Sequence, residues 1–390
     1  MELDTATQFA LPEDSESAIL VGRVWRPDIG PSVVALRGVE LVDISAMAPT
    51  MRDLCEMPEP GAIAMDTRGE PVGLLEDVLA NTPRDKRDPK KPWLLAPIDL
   101  QVIKAAGVTF AVSMLERVIE EKARGAPEQA AGIRKEIVGL IGDDLAKLKP
   151  GSEPAMQLKK LLIEKGMWSQ YLEVGIGPDA EIFTKAPSMA AVGHLAEIGV
   201  HPMSSWNNPE PEVVLVTASS GKIVGAALGN DVNLRDVEGR SALLLGKAKD
   251  NNASASIGPF VRLFGHGFSL DDVRQATVNL TVTGEDGFVL NGSSAMNQIS
   301  RDPADLMASA IGKHHQYPDG VVLYLGTMFA PVEDRGEKGQ GFTHKVGDVV
   351  TIASPKLGKL SNRVVHTDVA EPWTFGTAEL MRNLAKRKLI

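Results

Sequence analysis

The chain has 390 residues, with 41 Lys or Arg against 51 Asp or Glu and a formal net charge of −10. That length supports a large core or two to three modest domains, and the single cysteine, Cys55, excludes an intrachain disulfide framework. The acidic balance disfavours a broad nucleic-acid surface, which depends on clustered Lys and Arg releasing counterions.

The first stretch, MELDTATQFALPEDSES, carries acids where a secretory leader needs a basic region followed by an apolar block. With one cysteine and no such leader, the expected location is cytoplasmic. Residues 1–95 mix short β-like runs, AILVGRVWR and SVVALRGVELVDI, with turn-forming Pro and Gly, and they close on the charged segment TPRDKRDPKKP. We read them as a smaller N-terminal β-containing domain. Between residues 96 and 170 the apolar spacing turns to three and four, from QVIKAAGVTFAVSMLERVIEEKARG to PAMQLKKLLIEKG, which predicts a helical, lid-bearing segment. Residues 171–390 then alternate short apolar runs with turn residues and read as a β-rich domain. Within it, TGEDGFVLNG predicts a hairpin turning at Glu285-Asp286-Gly287. The most apolar run, VVLYLGTMFA, is about half the length needed to cross a bilayer, so no membrane partner is expected. The basic tail RNLAKRKLI reads as solvated cations near a helix C-terminus. His314 and His315 lack the carboxylate or cysteine companions of a zinc site, and the GHG at 265–267 lacks a dinucleotide fingerprint's third glycine.

One stretch breaks the pattern of ordinary buried strands. In PEPEVVL, Glu210 and Glu212 stand one residue apart at the mouth of a β-branched run, so both aim to one face of a strand. Two bare carboxylates there repel. A second polar cluster, GNDVNLRDVEGR, follows the next apolar run, and its Asp231 lies where a neighbouring strand would return. Three hard oxygen donors on adjacent strands suit a partial Mg²⁺ shell. On spacing alone, a solvated strand edge remains an equal reading.

Several motifs taken in order carry a resemblance over about residues 95–375. PEPEVVL, GNDVNLRDVEG, LLLGKAKDNNASASIGPF, PDGVVLYLGTMFAP and FTHKVGDVVTIASPKLGKLSNRV together resemble the fumarylacetoacetate hydrolase superfamily. The resemblance implies an α+β architecture, with a mixed β-roll catalytic domain that binds one Mg²⁺, with Mn²⁺ as an alternative ion, through Glu210, Glu212 and Asp231. It places Arg235, Glu238 and Thr327 near the substrate and Lys249 at a reactive position. The lid motif of the hydrolase members, N-Y-x-x-H-x-x-E, maps onto TFAVSMLE, where Ser113 replaces the histidine. A hydroxyl with no base beside it in sequence is a poor activator of water, which weighs against C–C hydrolysis. EVGIGPDAEIFTK is similar to the P-E-I-F-F-K segment of sugar-acid dehydratases and makes Glu181 a candidate acid. The implied activity is dehydration of a 2-keto-3-deoxy-D-pentonate (D-arabinonate or D-xylonate type) to 2,5-dioxopentanoate, with Lys249 and Glu181 moving the protons. Hydrolysis of 2,4-diketo acids is the alternative. The implied partner is a small 2-keto acid, and the implied assembly is a homodimer or homotetramer.

Overall fold

The computed structural model describes residues 2–390 apart from 111–113, 115–117, 119–147, 167, 266, 329–330, 332 and 336–340. Five strands come from the first 95 residues: β1 (Leu20–Arg26), β2 (Gly30–Arg37), β3 (Glu40–Asp43), β4 (Glu70–Leu74) and β5 (Trp93–Leu95). Next come β6 (Val102–Gly107), β7 (Glu181–Ala186), β8 (Glu197–Val200), β9 (Asn207–Asn208), β10 (Pro211–Thr217), β11 (Ile223–Asp231) and β12 (Asn233–Leu234). The remainder are β13 (Ala255–Leu263), β14 (Thr277–Thr283), β15 (Val289–Ala295), β16 (Val321–Tyr324), β17 (Val349–Ser354) and β18 (Gly358–His366).

An 11-stranded sheet runs β4-β3-β2-β1-β13-β11-β10-β16-β6-β7, with β5 also on β1, and a five-stranded sheet runs β15-β14-β17-β18-β8. This α+β arrangement of two packed sheets is the class expected from the run of short strands. β10 is buried throughout, and the alternation of its side chains explains how. Val213 and Leu215 join a core with Leu280, Val350 and Ile352 of the smaller sheet. Val214 and Val216 turn the other way, into a core with Ile103 and with Met51 and Leu54. The helix Met51–Glu56 that brings Met51 and Leu54 there is capped at its start by Thr50, which accepts from the Asp53 amide.

The expected hairpin forms: β14 and β15 pair from Thr277↔Ala295 to Thr283↔Val289, and Gly287, at φ 81°, closes the turn. The helix expected in PAMQLKKLLIEKG is also present, as Glu153–Glu164 with Ser152 at its N-cap. The start of the expected helical segment is different. Val102–Gly107 is strand β6, parallel to β16 and antiparallel to β7. Its run of VIKAAG satisfies either period over so few residues, and pairing on both sides decides for the strand.

The N-terminal strands extend the same sheet that carries β10 and β11, through Leu20↔Arg262 and Val21↔Val261 between β1 and β13. We keep the divisions after residues 95 and 170 as a proposal about organisation, with backbone pairing crossing the first of them. Among the described residues no helix is long and apolar enough to cross a membrane.

Candidate metal centre and active site

Glu210 lies just before β10 and Glu212 within it, while Asp231 ends the neighbouring strand β11. The strands are antiparallel with Pro211 opposite Asn230 and Glu212 opposite Gly229, and the Asp231 amide donates to the Glu210 carbonyl at 3.0 Å. All three carboxylates are buried, and one oxygen from each lies within 4.8 Å of the others. The Asn230 side chain helps hold this corner by accepting from the Glu210 amide at 3.0 Å. Opposite Glu212, Gly229 leaves space that the Tyr324 ring fills; a Cβ there would approach that ring to 2.4 Å.

Two lysines enter the cluster. Lys249, at the end of the short helix Leu245–Lys249, sits with Nζ 2.5 Å from Glu210 Oε2 and 3.1 Å from Asp231 Oδ2. Lys185, on β7, is fully buried with Nζ 2.8 Å from Asp231 Oδ1, and it also donates to the carbonyls of Val232 and Lys249. Burial lowers the Lys185 pKa. Burial would raise the Asp231 carboxyl, but Lys185 and Lys249 outweigh it and hold the group below its ordinary value. Glu212 goes the other way: burial, reinforced by Asp231 and Glu210, raises it well above the carboxylate range. Its Oε2 accepts from the Gly326 amide at 2.7 Å, an N–H aimed by the left-handed backbone of Gly326 at φ 101°. Three buried carboxyl groups drawn together in this way are a donor set that suits a hard divalent cation.

One narrow cavity is lined by Gly107, Glu181, Glu210, Asp231, Glu238, Lys249 and Thr327 among others. Six residues singled out in the sequence line it, from Glu181 to Thr327, whereas Glu212 and Arg235 are not among its lining residues. Glu238 accepts from Asn233 at 2.5 Å, and the same amide donates to Glu210 Oε1 at 3.0 Å, so Asn233 ties the cavity rim to the carboxylate cluster. Arg235 is buried, lies over the Trp206 ring at 4.4 Å, and donates to the Pro331 carbonyl at 3.3 Å. Its neighbour Asp236 accepts from Ser204 and Ser205. Ser113 lies outside the described residues. Sequence reasoning missed Lys185, Asn233 and Gly326. Lys185 closes the EIFTK motif already singled out, and Asn233 follows the N-D pair by two residues; nothing local marks Gly326 as a donor to Glu212.

Comparison with known proteins bears on this geometry. The model of the fumarylacetoacetate (FAA) hydrolase C-terminal family matches residues 172–365. A probable 2-keto-3-deoxyxylonate dehydratase of Haloferax volcanii is 30% identical over 201 residues, covering 52% of this chain and 65% of the relative. A 2-dehydro-3-deoxy-D-arabinonate dehydratase of Saccharolobus solfataricus is 31% identical over 183 residues, covering 46% and 57%. The chain thus matches less than two thirds of the length of either relative. A solved 2-keto-3-deoxy-D-arabinonate dehydratase in its apo form superposes with a TM-score of 0.59 at 21% identity, over 89% of this chain and 99% of that one. A structure of such a dehydratase complexed with magnesium and 2,5-dioxopentanoate gives the same score at 20% identity, with the same two coverages. At these identities the superpositions establish a common fold. Residues 172–365 are thus similar to the fumarylacetoacetate (FAA) hydrolase C-terminal family, and the superpositions show that the chain shares the fold of these dehydratases.

Proposed function

We propose that this chain is a Mg²⁺-dependent hydro-lyase that converts a 2-keto-3-deoxy-D-pentonate to 2,5-dioxopentanoate and water. The observation that carries the reading is the meeting of Glu210, Glu212 and Asp231 within 4.8 Å, in a cavity shared by Asp231, Lys249 and Glu181. The dehydratase relatives, and the Mg²⁺ and 2,5-dioxopentanoate in a protein of the same fold, support it. The three carboxylates and their buried setting fit a magnesium ion, with Mn²⁺ as its substitute. When bound, the ion would polarise the C2 ketone and replace Lys249 as counter-ion to the carboxylates.

Lys249 then serves as the base for a C3 proton, and Glu181 protonates the departing C4 hydroxyl. The C3–H and C4–O bonds break, a C3–C4 double bond forms, and water leaves. Moving a proton from C5 back to C3 gives the C4–C5 enol, which tautomerises to the aldehyde. Glu238, Thr327 and Arg235 bind substrate oxygens, and Ser113 completes the set from the lid. The N-terminal domain, the lid segment and a homodimeric or homotetrameric assembly belong to the same reading.

The test is an incubation with 2-keto-3-deoxy-D-pentonate, with and without Mg²⁺. A semicarbazide-reactive aldehyde should form only with the ion. If no aldehyde appears and a 2,4-diketo acid is instead split into pyruvate and a second acid, the chain is a hydrolase.

A further inference from the structure

β6 and β7 run antiparallel, and their register sets Gly107 directly opposite Glu181. Residues facing each other across such a ladder ordinarily stand side by side, with Cβ atoms about 4.5–5.5 Å apart. Glu181 instead lies across its partner. A Cβ built on Gly107 would stand 1.9 Å from Glu181 Oε2, 2.6 Å from its Cδ and 3.2 Å from its Cγ. The carboxylate occupies the volume that any side chain at position 107 would take. Gly107 and Glu181 line the cavity that holds Glu210, Asp231 and Lys249. Gly107 is also outside the left-handed region of backbone space. What glycine supplies there is therefore space for the Glu181 side chain, not a special backbone conformation.

We propose that Gly107 is a positioning residue: by carrying no side chain, it lets Glu181 fold across the strand pair and fixes the direction in which that carboxyl group meets the substrate. The inference rests on the dehydratase reading only for the reaction that Glu181 serves. A displaced acid loses the near-contact geometry on which proton transfer depends, while Glu210, Glu212 and Asp231 keep theirs.

The test is a double-mutant cycle of G107A and E181Q, read by kcat, KM and Mn²⁺ binding. G107A should lower kcat by about 10–100-fold and leave KM and Mn²⁺ binding within about twofold. Added to E181Q, it should change kcat by less than about twofold, because the group it displaces no longer transfers a proton. Full additivity, or wild-type kcat in G107A, overturns the assignment. A second readout is independent of turnover. E181A vacates the contested space, so the thermal stability lost in G107A should return in G107A/E181A, and failure to return overturns the proposal. If the wild-type chain makes no aldehyde but cleaves a 2,4-diketo acid, the dehydratase reading fails while the same cycle on that substrate and the stability arm still decide the role of Gly107.

Discussion

Two clusters of buried charge in this molecule follow opposite plans. Around Asp348, Arg335 donates to both carboxylate oxygens, His344 Nδ1 stands 3.3 Å away, and the Lys345 amide donates at 2.9 Å. Arg335 and Lys345 also reach Asp286, so two carboxylates meet two cationic side chains and a histidine. Around Asp231, three carboxylates face the two ammonium groups of Lys185 and Lys249. The first cluster matches its carboxylates with cations and ties the turn before β17 to the turn after β14. The second packs three buried carboxyl groups against one another, and burial with that crowding pushes Glu212 toward its protonated form. The two clusters differ in burial and in crowding: Asp286 and Lys345 are open to solvent, whereas all five charged groups around Asp231 are buried.

The largest effect that would break this contrast is expected at the carboxylate cluster. E212Q removes one ligand oxygen and one of three crowded carboxyl groups, so Mg²⁺-dependent turnover should fall by at least about 10³-fold. In the absence of divalent ions the melting temperature should be unchanged or higher, because a neutral amide replaces a carboxyl group that burial and its acidic neighbours already push toward its neutral form. A melt in EDTA beside a steady-state assay checks both, and a substantially lower melting point would remove the idea that Glu212 is pushed toward its neutral form.

The next effect lies in the balanced cluster and has the reverse signature. R335M leaves Asp348 buried without its main partner and should cost about 3–5 kcal/mol in urea unfolding. The kcat of the folded fraction should remain within about twofold. A large drop in kcat with normal stability would mean that the Asp348 cluster is also part of the catalytic apparatus.

The smallest effect sharpens the comparison with a buried group that carries no charge at all. His194 is buried, its Nδ1 accepts from the Ser361 amide at 3.0 Å, and burial lowers its pKa from 6.5 to about 3. The unfolded chain takes up this proton below pH 6.5 while the folded chain resists it down to about 3. The contribution of His194 is therefore intact above pH 6.5 and is lost as pH falls toward 3. Asp348 acts in the same direction: burial would raise it, but His344 and Arg335 hold it low. Unfolding free energies across this range for wild type and H194N should converge as acid is added. Parallel curves would show that His194 titrates as it does in the unfolded chain.

Much of the roll was legible in the sequence, because β-branched runs such as PEVVLVT form strands under any reading and EDG can close a hairpin. The two glutamates of PEPEVVL were legible as same-face neighbours by the period of a strand alone. Their meeting with Asp231 was one of two equal readings on spacing, and the resemblance tipped it, since period alone does not say which strand returns beside them. What escaped was set by non-local pairing. VIKAAG joined the sheet because β16 and β7 flank it, and Lys185 reaches Asp231 because β7 delivers it from 46 positions earlier, a distance counted between their residue numbers. The importance of Gly107 is invisible until Glu181 is seen lying over it.

The pairing of β1 with β13 has a further bearing on how this chain could be handled. Cutting away the first 95 residues would bare unpaired peptide groups along part of β13 and strip cover from one face of the strand layer that carries the acidic cluster. Such a fragment would present a ready template for self-association. The front quarter of this polypeptide is better regarded as the missing edge of the β-rich remainder than as a detachable accessory.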